Sequence, residues 1–366
     1  MAAVLKPNDV RQARAGDAAK PARPTIDDVA ALAGVARTTV SRVLNDQANV
    51  RDEVRERVMR AVAELDYRVN PQARGLASKI SKTLALIHCT DPDAEPNSYY
   101  DSGLELGALR AAATAGFELS TLSLVNDDPR RNDKLVELLA SGRCAGAILT
   151  PPLSDDVALA NQLIALGYAV VCVSPGDDVR RLLPGVGLDE EAAGHELGAY
   201  IVALGHRRFG YVLGIEGHRS AQNRYAGFVR ALADAGIAES AVQAVQGDFT
   251  FRSGVLCTQQ LLEADARPSV IVCGNDDMAV GALFAAHRMN LAIPAELSIV
   301  GFDDAPISAH TWPPLTTVHQ PVRRIAARAV ERLVEMLRRG SLPETPVFEA
   351  IDYQLVLRDS AVPPAA

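Results

Sequence analysis

Apolar positions recur at two different periods along this chain, and the change of period divides it. Ile26, Val29, Ala30 and Ala33 repeat at helical spacing behind Thr25, whose hydroxyl can accept the first free amide hydrogens. Asp28 suits the positive end of that helix, and Gly34 supplies a left-handed stop. A second short helix is predicted over about Ala36 to Leu44. Val40 and Leu44 turn towards a core, while Arg37, Thr38, Ser41 and Arg42 lie on the other side, Arg37/Ser41 and Thr38/Arg42 one turn apart. Val54, Val58, Val62 and Leu65 form the apolar stripe of a third helix. Two short helices joined by a glycine turn are a helix-turn-helix unit, whose second helix enters the major groove of DNA. Taken alone, the TTVSR face reads equally well as a solvated helix surface.

The next stretch, Asn70-Pro71-Gln72-Ala73-Arg74-Gly75-Leu76-Ala77-Ser78, pairs an N-cap residue with proline at the first helical position. So short a helix does not form alone in water, and Gly75 costs it about 1 kcal/mol. It is predicted to fold only when held by a partner, with Leu76 exposed until then.

After Lys79 the pattern becomes continuous apolar runs alternating with helical ones. Strands are predicted at Thr83–Cys89, Glu118–Leu124, Gly146–Leu149, Ala169–Val173, Phe209–Leu213, Val242–Gln246, Ser269–Cys273 and Leu297–Gly301. Helices fall between them, at about Ser102–Ala115, Arg131–Ala140, Val157–Leu166, Glu190–Leu204, Ser220–Ala235, Arg252–Glu263 and Met278–Met289. Buried strands alternating with helices mean parallel sheets covered on both faces, and the length suits two sheets.

Charge reinforces the division. The chain carries a net −8, but residues 1–82 hold 15 Lys/Arg against 10 Asp/Glu, a net of +5, and the remainder 22 against 35, a net of −13. A basic head on an acidic body is expected where only the head meets phosphate. Residues 1–24 lack an apolar core segment and read as a weakly basic arm rather than a signal peptide, and no run approaches the roughly 20 residues of a membrane span. A cytoplasmic protein is expected. Cys89, Cys144, Cys172, Cys257 and Cys273 show no metal or disulfide spacing and read as reduced, mostly buried thiols. No metal or cofactor is expected. No nucleophile elbow, HExxH, Walker A or dinucleotide fingerprint occurs, and the adjacent pairs Asp276-Asp277 and Asp303-Asp304 point different ways, so an enzyme is not predicted.

GVARTTVSRVLN followed by LDYRVNPQARGLAS resembles the DNA-binding headpiece and hinge of the lactose-repressor (LacI) family, and the remaining chain follows that family to Arg358. The resemblance implies a small all-α headpiece (25–69), a hinge helix (70–81) and an α/β body (82–358) of two periplasmic-binding-protein-like lobes, then a tail (359–366). Lobe 1 would take about 82–185 and 320–345, lobe 2 about 186–318 and 346–358. The chain would cross between lobes near Pro184–Gly187, Thr317–Gln320 and Thr345–Val347, with helix Val322–Arg338 in the first lobe. It implies a homodimer on a pseudo-palindromic operator, most simply as a repressor, with DNA contacts from Thr25, Arg37, Thr38, Thr39, Ser41, Arg42, Asn45, Asn70 and Ala73. Leu76 would wedge between base steps in the minor groove.

Ligands of open α/β sheets bind beyond the strands' carboxyl ends. The resemblance places Tyr99 and Tyr100, Arg224, Phe249, Asn275 and Asp276 around an inter-lobe effector. Asp276, opening a helix, would accept ligand hydroxyls, with Asp277 an alternative cap. A sugar is the favoured effector and a purine-like molecule the runner-up. A solute-binding protein for sugar uptake shares the body, but would need a signal peptide and no headpiece. Three departures stand out. Ala36 replaces a common serine cap, Arg51 leaves the third helix's cap to Asp52, and Ser174 stands where the founding member has an acidic ligand contact, with Asp177 and Asp178 nearby to compensate.

Overall fold

The computed structural model describes residues 26–44, 50–65, 81–90, 98–339 and 345–364. The chain forms two compact units, Met1–Lys79 and Ile80–Ala366.

In the first unit, α1 (Ile26–Ala33), α2 (Arg37–Leu44) and α3 (Asp52–Glu64) close on one another. Gly34 takes the left-handed conformation (φ 61°) that ends α1. The core is Val29, Ala30, Ala33, Val40, Val43, Val58 and Ala61. Val43 takes the seat expected of Leu44, which is half-buried at the edge, and Ala61 sits deeper than Val54, Val62 or Leu65. In helices this short, spacing by three rather than four sets which residue faces inward. Arg51 occupies the cap of α3 without a side-chain bond. Asp52, expected as the cap, is instead the first helical residue, where its charge still meets the positive helix end.

The second unit holds two parallel sheets. Elements β1 (Thr83–Thr90), α4 (Ser98–Ala115), β2 (Glu118–Val125), α5 (Arg131–Ala140), β3 (Gly146–Leu149), α6 (Val157–Ala165) and β4 (Val170–Val173) build the first, followed by the short α7 (Asp177–Arg180) and β5 (Gly185–Gly187). Helices α8 (Glu190–Ala203), α9 (Arg219–Asp234), α10 (Phe251–Glu263) and α11 (Asp276–Arg288) alternate with β6 (Phe209–Leu213), β7 (Val242–Gln246), β8 (Val270–Cys273) and β9 (Ser298–Val300) in the second. Then come β10 (Thr317–His319), the long α12 (Val322–Arg339), β11 (Phe348–Ala350) and β12 (Gln354–Val356). The sheet orders are β11-β5-β4-β3-β1-β2 and β7-β6-β8-β9, with β10 and β12 an antiparallel pair. Strands β3, β4 and β8 are buried at every residue, as apolar runs covered on both faces must be. Edge strands β2 and β7 are mostly exposed or half-buried. No described helix is long and apolar enough to cross a membrane.

Three expectations change. Gly185–Gly187 is a strand of the first sheet rather than a crossing, because its glycines let Pro175 and Ser174 pack against the bare backbone. Phe348–Ala350 pairs with it, Phe348 opposite Gly185, so this part of the segment assigned to lobe 2 completes the first sheet. The expected tail is instead packed into the second lobe. Ser360 and Ala361 are buried, the Ile299 amide donates to the Ser360 carbonyl (2.9 Å), and the Val362 carbonyl lies 2.9 Å from His206 Nε2.

Candidate functional site

In the first unit, Arg37, Thr38 and Arg42 stand exposed along one side of α2. Thr39, predicted with them, is half-buried one position round the helix. Arg37 Nη1 lies 3.4 Å from Asp27 Oδ2, with both side chains about two-thirds exposed (65% and 64%), too wet a pair to hold the guanidinium. The side chain of Ser41, and Thr25, Asn45, Asn70, Ala73 and Leu76, lie outside the described residues.

In the second unit, the loops at the carboxyl ends of both sheets converge on a buried arginine. Helices α8 and α9 touch backbone to backbone, since a Cβ on Gly194 would lie 2.0 Å from the Arg224 carbonyl oxygen. That approach sets Glu190, in the first turn of α8, against Arg224 in α9. Arg224 Nε donates to Glu190 Oε2 (2.7 Å), Nη1 to the Gly274 carbonyl (2.9 Å) and Nη2 to Gln320 Oε1 (3.5 Å). Its guanidinium lies 3.8 Å over the Phe302 ring. Burial works against this charge, but Glu190 and then Asp303 more than offset it, so Arg224 is held protonated.

Asp303 is buried beside it, in a left-handed conformation (φ 114°) rare outside glycine. Burial raises its carboxyl to about 7, against the pull of Arg224 and a hydrogen bond from Gln320 Nε2 (3.1 Å). Tyr99 and Tyr100, at the start of α4, face this group from the first sheet. Burial raises both phenols, the next largest influence being Asp303 on Tyr99 and Glu190 on Tyr100. The structure thus brings Tyr99, Tyr100 and Arg224 together and adds Glu190, Asp303 and Gln320. Neither Glu190, which begins a predicted helix, nor Asp303, half of an adjacent acidic pair, lies in a motif that marks it in the sequence.

Asp276 opens α11 beside this group, close enough to Tyr99 to help raise its phenol. It is fully buried and both oxygens are occupied, Oδ1 by the Thr317 hydroxyl and Oδ2 by the Ala305 amide, each at 2.7 Å. It ties the start of α11 to the loop after β9, and burial, then Asp303, drives its carboxyl well up. Asn275, rather than Asp277, caps α11 by accepting from the Met278 amide (3.0 Å), and it donates to the Phe249 carbonyl (2.9 Å). That bond supports Phe249 in its left-handed conformation (φ 70°). One side of the Phe249 ring lies against Gly214, whose added Cβ would come within 2.1 Å of it, and His218 meets it edge-on. Asn275, Asp276 and Phe249 therefore brace the wall of the site.

Asp177 and Asp178 do not substitute for the missing acid at position 174. They face solvent, near Arg180 (3.6 Å) and Arg181 (3.4 Å). The carboxylate that does reach this side is Asp155, whose Oδ1 accepts from the Gly176 amide (2.7 Å) while the buried Oδ2 has no hydrogen-bond partner among the described residues. Across the lobes, the Ser220 hydroxyl approaches the Ser174 carbonyl (3.5 Å), and His218, pushed down to about 4 by burial and Arg224, is neutral with Nδ1 likewise unpartnered. Acceptors and donors thus face one another between two sheet ends. Among the described residues no group of His, Cys, Asp and Glu could hold a metal.

Comparison with known proteins agrees with both halves of this picture. A family profile described as bacterial regulatory proteins, lacI family, matches residues 25–70, and one for a periplasmic binding protein-like domain matches 199–361. The chain is 31% identical to the HTH-type transcriptional repressor PurR of Erwinia tasmaniensis, over 86% of this chain and 90% of that one. It is 30% identical to the HTH-type transcriptional regulator AscG of Escherichia coli, over 93% and 99%. A Lac repressor dimer bound to operator and the anti-inducer ONPF superposes with a TM-score of 0.79 at 27% identity, over 93% of this chain and all of that one. With a helix-turn-helix unit ahead of two parallel sheets whose carboxyl ends enclose a charged, hydroxyl-lined site, the chain belongs to the LacI family of bacterial regulatory proteins.

Proposed function

We propose that this protein is a dimeric transcriptional repressor whose hold on operator DNA is set by a small hydroxyl-rich effector, a sugar before a purine, bound between the two lobes. The observation that carries the effector class is the Glu190–Arg224–Asp303 group beneath Tyr99 and Tyr100. Arg224 already spends Nε on Glu190 and Nη1 on a carbonyl, so it suits sharing a hydroxyl oxygen better than gripping a ligand carboxylate bidentately. Asp303 and the free oxygen of Asp155 accept hydroxyl hydrogens, and the tyrosines offer flat faces. Relatives of known structure include a CelR–cellobiose complex at 29% identity.

DNA would be read by Arg37, Thr38, Ser41 and Arg42, a good base contact contributing about 1–3 kcal/mol of discrimination. Phe251, Phe284, Ile307 and Trp312 are exposed; the Phe251 and Phe284 rings pack at a 58° tilt with centroids 5.6 Å apart, and His287 on α11 reaches the Trp312 carbonyl. Such a patch suits the second copy in the dimer. The named relatives are regulators, and we read no catalytic role into the site. The test is a melting-temperature screen of mono- and disaccharides and of nucleobases, followed by release of bound operator. A sugar that raises the melting point and changes operator affinity supports the reading. A nucleobase that does so alone replaces the effector class.

A further inference from the structure

The outer face of the first lobe carries a second feature that the effector site does not use. Helices α4 and α12 run side by side, in contact where a Cβ on Gly107 would sit 2.3 Å from the Arg323 carbonyl oxygen. Alongside that contact lies a groove of about 620 Å³. Its floor is Gly107, Ala111, Ala115 and Ala327 with the buried edge of Val334, so it is shallow, apolar and made of small residues. Its rim carries Arg110, Arg324 and Arg338, all exposed.

The charge on this rim is unbalanced. The groove's two carboxylates, Glu331 and Glu335, both turn to Arg328 (2.9 and 3.6 Å), which also bonds Glu349 (2.7 Å), itself bonded by Arg332 (2.8 Å). Among the described residues, Arg110, Arg324 and Arg338 have no carboxylate within 4.0 Å, and Arg338 donates only to the Ala115 carbonyl (3.4 Å). This occurs on a stretch of chain, residues 83–366, with a net charge of −13.

Solvated arginines are ordinary on a convex helix face, but here they border an apolar trough. Arg324 and Arg338 are about 20 Å apart at 1.5 Å per residue, too far to converge on one phosphate. A symmetric contact with a second copy would oppose the same arginines. A nucleic acid would leave the apolar floor unused. We propose that the groove docks an acidic amphipathic helix of a partner protein, apolar stripe down on the alanine floor and carboxylates against the arginine rim. A floor of small residues admits a helix backbone closely, and the flanking guanidiniums select its charge.

The probe is a synthetic 18-residue helix with leucine at helical spacing flanked by glutamate, labelled for anisotropy. It is titrated into the full chain with non-specific duplex DNA in excess to occupy the basic N-terminal unit. Binding is expected, and Arg110→Glu with Arg324→Glu should weaken it at least about tenfold, as should lysine in place of the peptide's glutamates. Ala327→Leu, which fills the floor without touching charge, should weaken it too, with unchanged circular dichroism for both variants. Arg323 is left alone because it lies within electrostatic reach of Tyr99 in the effector site. Effector-induced melting shifts should be unaltered in these variants, so failure here leaves the effector reading separately decidable. No binding, equal binding by the reversed variants, or loss of duplex affinity in them would each overturn the proposal. So would a change of oligomeric state on sedimentation.

Discussion

The two recognition regions of this protein hold their charges in opposite ways. On α2, Arg37 and Arg42 stand in water, and the acid that Arg37 meets among the described residues, Asp27, is an exposed partner at 3.4 Å. Between the lobes, Arg224 is only 5% exposed and spends three donors on neighbours before any ligand arrives. DNA supplies the counter-charge itself, so side chains that meet it can stay solvated and be reoriented cheaply. A small neutral ligand supplies none. Its site must keep charges compensated in the dry interior, and selectivity then comes from how those pairs share their remaining hydrogen-bonding capacity.

The sharpest way to break this contrast is to unpair the buried charge. Glu190→Gln leaves Arg224 without its carboxylate, and unfolding in urea should show a loss of about 3–5 kcal/mol in the second unit. A loss as small as that of a surface pair would mean Arg224 is not buried as described. Asp276→Asn comes next. Its amide oxygen can keep the Ala305 N–H only if its NH2 donates to the Thr317 hydroxyl, which must then accept rather than donate, for an expected cost of about 1 kcal/mol in stability. Asp303→Asn should behave differently, weakening effector binding about tenfold with little loss in melting temperature. Were Asp276→Asn to abolish effector binding at unchanged stability, the roles assigned to the two aspartates would have to be exchanged.

Protonation sharpens the same comparison. Burial raises Asp303 to about 7, and burial followed by Glu105 raises Asp101 to about 6. A carboxyl raised on folding contributes stability that is complete below its unfolded value near 3.8, and that is lost as pH climbs through the folded value. His218, pushed down to about 4, acts in the opposite sense between its ordinary value and 4. The measurement is therefore a difference: from about pH 4 to 7 the wild type should lose stability relative to Asp303→Asn. Parallel curves would place Asp303 in contact with water. At the small end, Asp27→Ala should leave the melting temperature of the first unit within error, because an exposed pair contributes about 0–1 kcal/mol. Arg37→Ala should nonetheless alter operator preference.

Sequence alone determined what repeats along one chain direction. Gly34 and the stripes of α1 and α3 carried the helix-turn-helix unit, and the wholly apolar runs at β3, β4 and β8 announced buried parallel strands. Exposed faces follow from helical period, which is why Arg37, Thr38 and Arg42 are legible as solvent-facing, whereas Thr39, one position off that face, is half-buried. What only the tertiary structure decided is which buried acid is free. Asp276 and Asp303 both follow strands of the second sheet, yet Thr317 and Ala305, distant in sequence, consume one, while Arg224 and Gln320 border the other. Nor could Phe348–Ala350 declare its sheet, since three residues gain an address only from the strand they pair with. Period is a local property of the chain, whereas the pairing of a buried polar group depends on whatever the fold brings within hydrogen-bonding distance, and no spacing along the sequence records that.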